Sequence, residues 1–144
     1  MKRFSKIFLA LAIIAGVSVV ALADRPISSN ELPNEAKAFI NKNYAETTIY
    51  NCEIDDFNYD VDLSNGVDLK FNKKGKLLKI EADHGVLSQA VLKAILPAKA
   101  VQHLSAKGLL DRVEEVEFRR STIVVDIANY DDYEIRFRLD GTVK

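Results

Sequence analysis

From residue 57 the chain alternates strictly: Phe57, Tyr59, Val61 and Leu63 are apolar, with Asn58, Asp60 and Asp62 between them. Period two with one polar face predicts a strand half exposed to water. The same pattern returns at Ile123, Val125 and Ile127 around Asp126. A second strand follows each of these, Val67, Leu69 and Phe71 around Asp68 and Lys70 in one place, and Tyr133, Ile135 and Phe137 around Glu134 and Arg136 in the other. Leu78, Ile80 and Ala82 predict one more strand in the first copy. In the second, the chain reaches Lys144 soon after an Asp140-Gly141 turn, so the last strand is expected to be short or missing.

Ahead of each alternating stretch lies helical spacing. Ala36, Phe39, Ile40 and Tyr44 share one face, as do Ala100, Val101 and Leu104, and each run opens with Leu-Pro at 32–33 and 96–97. Ser88 is placed to cap a short helix through Ile95, and Gly108 to close the longer one. Laid over itself at an offset of 64, the chain matches Leu32-Pro33 to Leu96-Pro97, Glu53 to Glu117 and Val61-Asp62 to Val125-Asp126. At an offset of 66, Phe71 meets Phe137 and Gly75 meets Gly141. The expected fold is therefore α+β, a tandem repeat of helix(-turn-helix) followed by a three- to four-stranded antiparallel meander, with helices packed on one sheet face. The repeats are expected at about 27–83 and 86–144, within one domain of residues 24–144.

Register follows from which faces must agree. A three-residue loop Ser64-Asn65-Gly66 pairs Leu63 with Val67, Val61 with Leu69 and Tyr59 with Phe71, whereas a two-residue turn would set Leu63 against Asp68. A Lys74-Gly75 turn then sets Phe71 against Leu78 and Leu69 against Ile80. By this phase Asp60, Asp62, Asp68, Lys70, Asp126, Glu134 and Arg136 face outward, and Asp62, Asp68 and Glu81 line up across three strands. Phe57, Tyr59, Phe71, Tyr133 and Phe137 face inward.

Residues 1–23 read as an address. Lys2, Arg3 and Lys6 precede an uncharged apolar stretch, and Ala21-Leu22-Ala23 supplies small residues at the −3 and −1 positions of a signal peptidase site, so cleavage is expected after Ala23. Its removal leaves 17 basic and 21 acidic residues, net −4. The product is expected to be periplasmic or secreted, with no membrane attachment. A mildly acidic chain offers no basic footprint for nucleic acid. One cysteine, Cys52, leaves no disulfide framework and reads as a small buried hydrophobe.

A leader followed by two copies of Leu-Pro-helix and alternating meander resembles the PepSY-like family of exported bacterial proteins, whose fold is also described as beta-lactamase-inhibitor-like. The resemblance covers most of residues 27–144. It implies helices on one face of an antiparallel sheet, the other face open, a binding or inhibitory role outside the cytoplasm, and no catalytic residues. Aromatic anchors expected of an inhibitor face point inward by phase here, which argues against beta-lactamase inhibition and for a polar or charged partner.

The residues themselves support no enzyme. His84 and His103 lack ligand spacing, the serines fall at caps, turns and strand ends, and no glycine-rich phosphate loop occurs. The functional expectation is an exported non-enzymatic module that docks or inhibits a periplasmic protein or peptide. Its candidate binding residues are Asp60, Asp62, Asp68, Lys70, Glu81, Asp126, Glu134 and Arg136. No cofactor is expected under that reading. The alternative is a calcium-responsive protein, with Asp62, Asp68 and Glu81 as candidate ligands, because like charges set side by side repel unless solvated or bridged by a cation. Glu114, Glu115 and Glu117 with Arg119 and Arg120 read as a solvated edge that discourages strand pairing.

Overall fold

The computed structural model describes residues 24–131 and 133–144. The expected leader and its cleavage point lie outside the described residues. Eight strands form one antiparallel sheet in chain order: β1 (Arg25–Pro26), β2 (Ile49–Asp55), β3 (Asn58–Leu63), β4 (Val67–Phe71), β5 (Leu77–Ala82), β6 (Val113–Phe118), β7 (Thr122–Ile127) and β8 (Glu134–Arg138). Among the described residues three short α-helices accompany it, α1 (Asn34–Asn43), α2 (Gln89–Ile95) and α3 (Ala98–Ala106), with a 3-10 turn at Ser29–Glu31.

This corrects the expected architecture. The chain is mostly sheet, and the strands of the two copies do not form separate three- to four-stranded meanders behind helix-turn-helix entries. They merge, because β5 pairs with β6 through Lys79–Glu117, Ile80–Val116 and Glu81–Glu115. The charged strip at Glu114–Glu117 is consequently an interior strand and not an edge. Its inward residues Val113 and Val116 are fully buried, and hydrogen bonding to a strand on either side outweighs the repulsion among its outward carboxylates.

Local chemistry explains the elements. Pro33 and Pro97 precede α1 and α3, where a missing N–H is tolerated. Ser88 Oγ accepts from the Val91 N–H at 3.2 Å and starts α2. β3 and β4 pair as Tyr59–Phe71, Val61–Leu69 and Asp62–Asp68 around Gly66, whose φ of +79° lies in the left-handed region. Leu69 meets Ile80 as expected, but a bulge after Lys70 sets Phe71 against Leu77, not Leu78. Two inward expectations fail. Phe57 is 68% exposed because Asp56 and Phe57 both take positive φ and form the β2–β3 turn, and Tyr133 is 44% exposed just ahead of β8.

The helices cover one face. Phe39 of α1 meets Phe71 of β4 edge to face at 5.8 Å, and His103 of α3 meets Phe137 of β8 in the same way at 5.7 Å. Beneath them lie Val61, Leu69, Phe71, Ile80, Val116, Val125 and Phe137, with Leu92 and Leu104 from the helices. Each copy fastens its helix start with a glycine. At Gly75 (φ +88°) a Cβ would lie 2.8 Å from the Ala36 backbone nitrogen, and at Gly141 (φ +87°) 2.9 Å from that of Ala100. Cys52 is buried and unpaired, and burial pushes its thiol up to about 11, so it is an inert core group. Among the described residues no helix is long and apolar enough to cross a membrane.

Candidate functional site

The face away from the helices carries the charge, and register arranges it. Asn51 on β2 pairs with Asp62 on β3, Asp62 with Asp68 on β4, and Asp68 with Glu81 on β5. Glu81 then pairs with Glu115 on β6, Glu115 with Asp126 on β7, and Asp126 with Glu134 on β8. Six carboxylates therefore stand side by side across six consecutive strands. Directly opposed side chains lie about 5 Å apart, a distance at which like charges repel. The neighbouring row is mixed: Glu53, Asp60, Lys70, Lys79, Glu117, Val124 and Arg136.

One lysine divides the acidic row. Lys79 Nζ sits 2.9 Å from Glu81 and 3.0 Å from Glu115 and so clamps the row where the two copies meet. Burial works against its charge, but those two hydrogen bonds prevail and hold its pKa at about 12. Lys70 Nζ lies 3.4 Å from Asp60 and 3.6 Å from Asp55, and Arg136 pairs with Glu134 on its own strand. Among the described residues, Asp62, Asp68 and Asp126 have no cation within ion-pair distance. Asp62 accepts from Asn51 Nδ2 at 3.3 Å.

The electrostatic consequence falls hardest on Asp68. Partial burial, then repulsion from Asp62 and Asp83, a carboxyl–carboxyl hydrogen bond with Asp83 and repulsion from Glu81 lift its pKa to about 6. Asp126 is raised by burial and by Glu134 and Glu114. Glu115 and Asp60 are also raised by burial, although Lys79 and Lys70 pull each of them back.

A cavity lies over each acidic stretch. One of about 250 Å³ is lined by Asp60, Asp62, Asp68, Lys70 and Glu81 among others, so the first copy's expected binding residues do come together. The other, about 380 Å³, is lined by Glu114, Asp126, Ile127, Tyr130, Tyr133 and Glu134. Equivalent bulges shape both copies, after Ile49 in β2 and after Val113 in β6. Each re-aims one side chain: Tyr50 is left 83% exposed, and Glu114 reaches the larger cavity. Tyr130 and Tyr133 form a tilted ring pair at 5.6 Å, with the Tyr130 hydroxyl 3.3 Å from Arg112 Nη1.

Sequence reasoning did not reach Lys79, Asp83, Glu114, Glu115, Tyr130 or Tyr133 as part of this face. Asp62, Asp68 and Glu81 are brought into the expected row, spaced strand by strand. Among the described residues no three His, Cys, Asp or Glu side chains converge closely enough to hold a metal ion.

Solved structures share this architecture. A periplasmic protein from Bacteroides thetaiotaomicron described as calcium-regulated superposes with a TM-score of 0.69 at 23% identity, over 84% of this chain and 94% of its own. A periplasmic protein of unknown function from Bacteroides vulgatus gives 0.70 at 24% identity over 84% and 96%. A second periplasmic protein from Bacteroides vulgatus gives 0.69 at 27% over 85% and 94%. Comparison with curated proteins gives no match. The family model described as "beta-lactamase-inhibitor-like, PepSY-like" matches twice, over residues 20–79 and 85–144, so each match takes in one helix-to-sheet copy. The chain belongs to the PepSY-like family.

Proposed function

We propose that this protein is an exported, non-enzymatic binding module that docks a basic protein or peptide of the cell envelope on its open sheet face. The observation that carries this reading is the unbroken row of six carboxylates on the face the helices leave uncovered. A folded chain gains nothing in stability from aligning like charges on adjacent strands. A cationic partner would relieve that repulsion and be steered toward it. The similarity to periplasmic proteins and the basic-apolar leader support an extracytoplasmic setting.

Retention of envelope proteins on the immobilised protein tests the reading. A basic partner should be held by the wild type and lost when Asp62→Lys and Asp126→Lys reverse one charge in each copy. If nothing is retained, or if the doubly substituted protein retains the same partner equally well, the sheet face is not the docking surface.

A second reading has its own support. A protein of the same fold is described as calcium-regulated, and Asp62, Asp68 and Glu81 stand in adjacent register on this chain. On this reading a divalent cation, not a peptide, offsets the repulsion in the row.

A further inference from the structure

The acidic row is not uniform. At its centre Lys79 bridges Glu81 and Glu115 and offsets one of their two charges, and this clamp separates two stretches of different character. On the β4 side, Asp62 and Asp68 line the 250 Å³ cavity together with Lys70 and Lys79, but those lysines pair with Asp55, Asp60, Glu81 and Glu115, so among the described residues neither Asp62 nor Asp68 has a cation within ion-pair distance. On the β7 side, Asp126 and Glu114 lie in the 380 Å³ cavity, which Glu134, Ile127 and the paired rings of Tyr130 and Tyr133 complete. Carboxylates backed by tyrosine rings match a guanidinium or ammonium group on an apolar stem, because the rings attract the cation's face while the stem covers apolar surface.

Spacing between the two stretches is set by the sheet. Asp68 on β4 and Asp126 on β7 occupy the same row three strands apart, about 14 Å at the usual strand separation of about 4.8 Å. An extended chain crossing the strands advances about 3.3 Å per residue and repeats its facing side chains every second residue. Residues i and i+4 of such a chain point the same way about 13 Å apart. In a helix the same pair would be only about 6 Å apart and would not span the clamp.

Resting on the docking reading above, we propose that the occupant of the open face is an extended basic segment laid across the strands, with two Lys or Arg residues four positions apart. One is received by Asp62 and Asp68, the other by the tyrosine-walled cavity at Asp126. Lys79, in the wall of the first cavity, ties up Glu81 and Glu115 and excludes a third cation at the centre of the row. The two cavities thus act as linked sites, and the second contact adds to the first as an intramolecular event.

The test uses labelled Thr-rich peptides carrying Arg at i and i+4, at i and i+2, or at one position only, titrated with the purified protein at about 0.15 M salt, where long-range attraction is screened. The i,i+4 peptide should bind about tenfold more tightly than the single-Arg peptide and clearly more tightly than the i,i+2 peptide. Asp126→Asn and Tyr133→Ala should each reduce it to the single-Arg level. Glu46→Gln, an exposed charge in the turn after α1, should leave it unchanged, and circular dichroism checks that each variant is folded. Equal affinity for both spacings, or equal losses in the Glu46 and Asp126 variants, overturns the two-point reading in favour of undirected charge attraction. Failure of all peptides while a partner is still retained, and lost with Asp62→Lys and Asp126→Lys, overturns the extended segment but leaves the docking face standing. Failure of both removes the two together.

Discussion

Asp68→Asn should make the protein more stable at neutral pH, although it deletes a charge from one of the two stretches of the proposed binding surface. In the folded chain the Asp68 carboxyl is held at about 6 against an ordinary value of 3.8, by partial burial and by Asp62, Asp83 and Glu81. An acid with a raised folded-state pKa binds its proton more tightly folded than unfolded, so stability falls as pH rises through that window. The penalty is complete above pH 6, is relieved as pH falls, and is gone below 3.8. A shift of this size would amount to about 3 kcal/mol in a sealed interior. Asp68 is half-buried at the sheet surface and still reached by water, and screening brings the expected gain from the amide to about 1 kcal/mol, or about 4 °C in Tm. The amide also keeps a donor for Asp83. Thermal unfolding of wild type and variant at pH 7.5 and pH 4.5 is the assay. The variant should melt higher at pH 7.5, and the difference should shrink toward zero at pH 4.5. A variant that melts lower at pH 7.5, or a difference that ignores pH, would mean that the row is relaxed by solvent and that repulsion does not shape this face. A confirmed gain would place the row among sites where function opposes stability.

The helix-fastening glycines give a second prediction. Gly75→Ala combines a left-handed φ with a Cβ 2.8 Å from the Ala36 nitrogen, whereas Gly66→Ala carries the φ penalty alone, with nothing within 4 Å. Urea unfolding should show Gly66→Ala losing about 1–2 kcal/mol and Gly75→Ala about 1–3 kcal/mol more, and equal losses would show that the close approach is not maintained in solution. For the calcium reading, millimolar calcium should raise Tm in the wild type but not in Asp62→Asn/Asp68→Asn, since a ligand of the native state must stabilise it; an unchanged Tm in the wild type removes that reading.

How far the chain could be read depended on how cleanly each segment kept its period. The register of β3 against β4 was legible, because Tyr59, Val61 and Leu63 alternate without interruption and the three-residue turn ending at Gly66 keeps both faces consistent. The row Asp62, Asp68, Glu81 followed from that register. β6 was misread because the bulge after Val113 breaks the alternation with Val116, which hid an interior strand and with it Glu114, Glu115 and the β5–β6 junction. The join between copies was equally invisible, since α2 and α3 intervene in sequence between two strands that touch in space. Lys79 became meaningful only once that join was known. Phe57 deceived in the opposite direction: it continues the apolar alternation of β3, yet the Asp56-Phe57 pair turns the chain with positive φ and leaves the ring in water.

Because the carboxylates are positioned by backbone hydrogen bonding between strands, their separations come in fixed increments of one strand. Side-chain substitutions can erase a tooth of this comb or blunt it, but cannot move one tooth closer to the next. Relatives with the same sheet can therefore diverge in what they hold only by choosing which teeth carry charge. A new spacing requires a strand gained or lost, which is the kind of change a duplicated unit supplies.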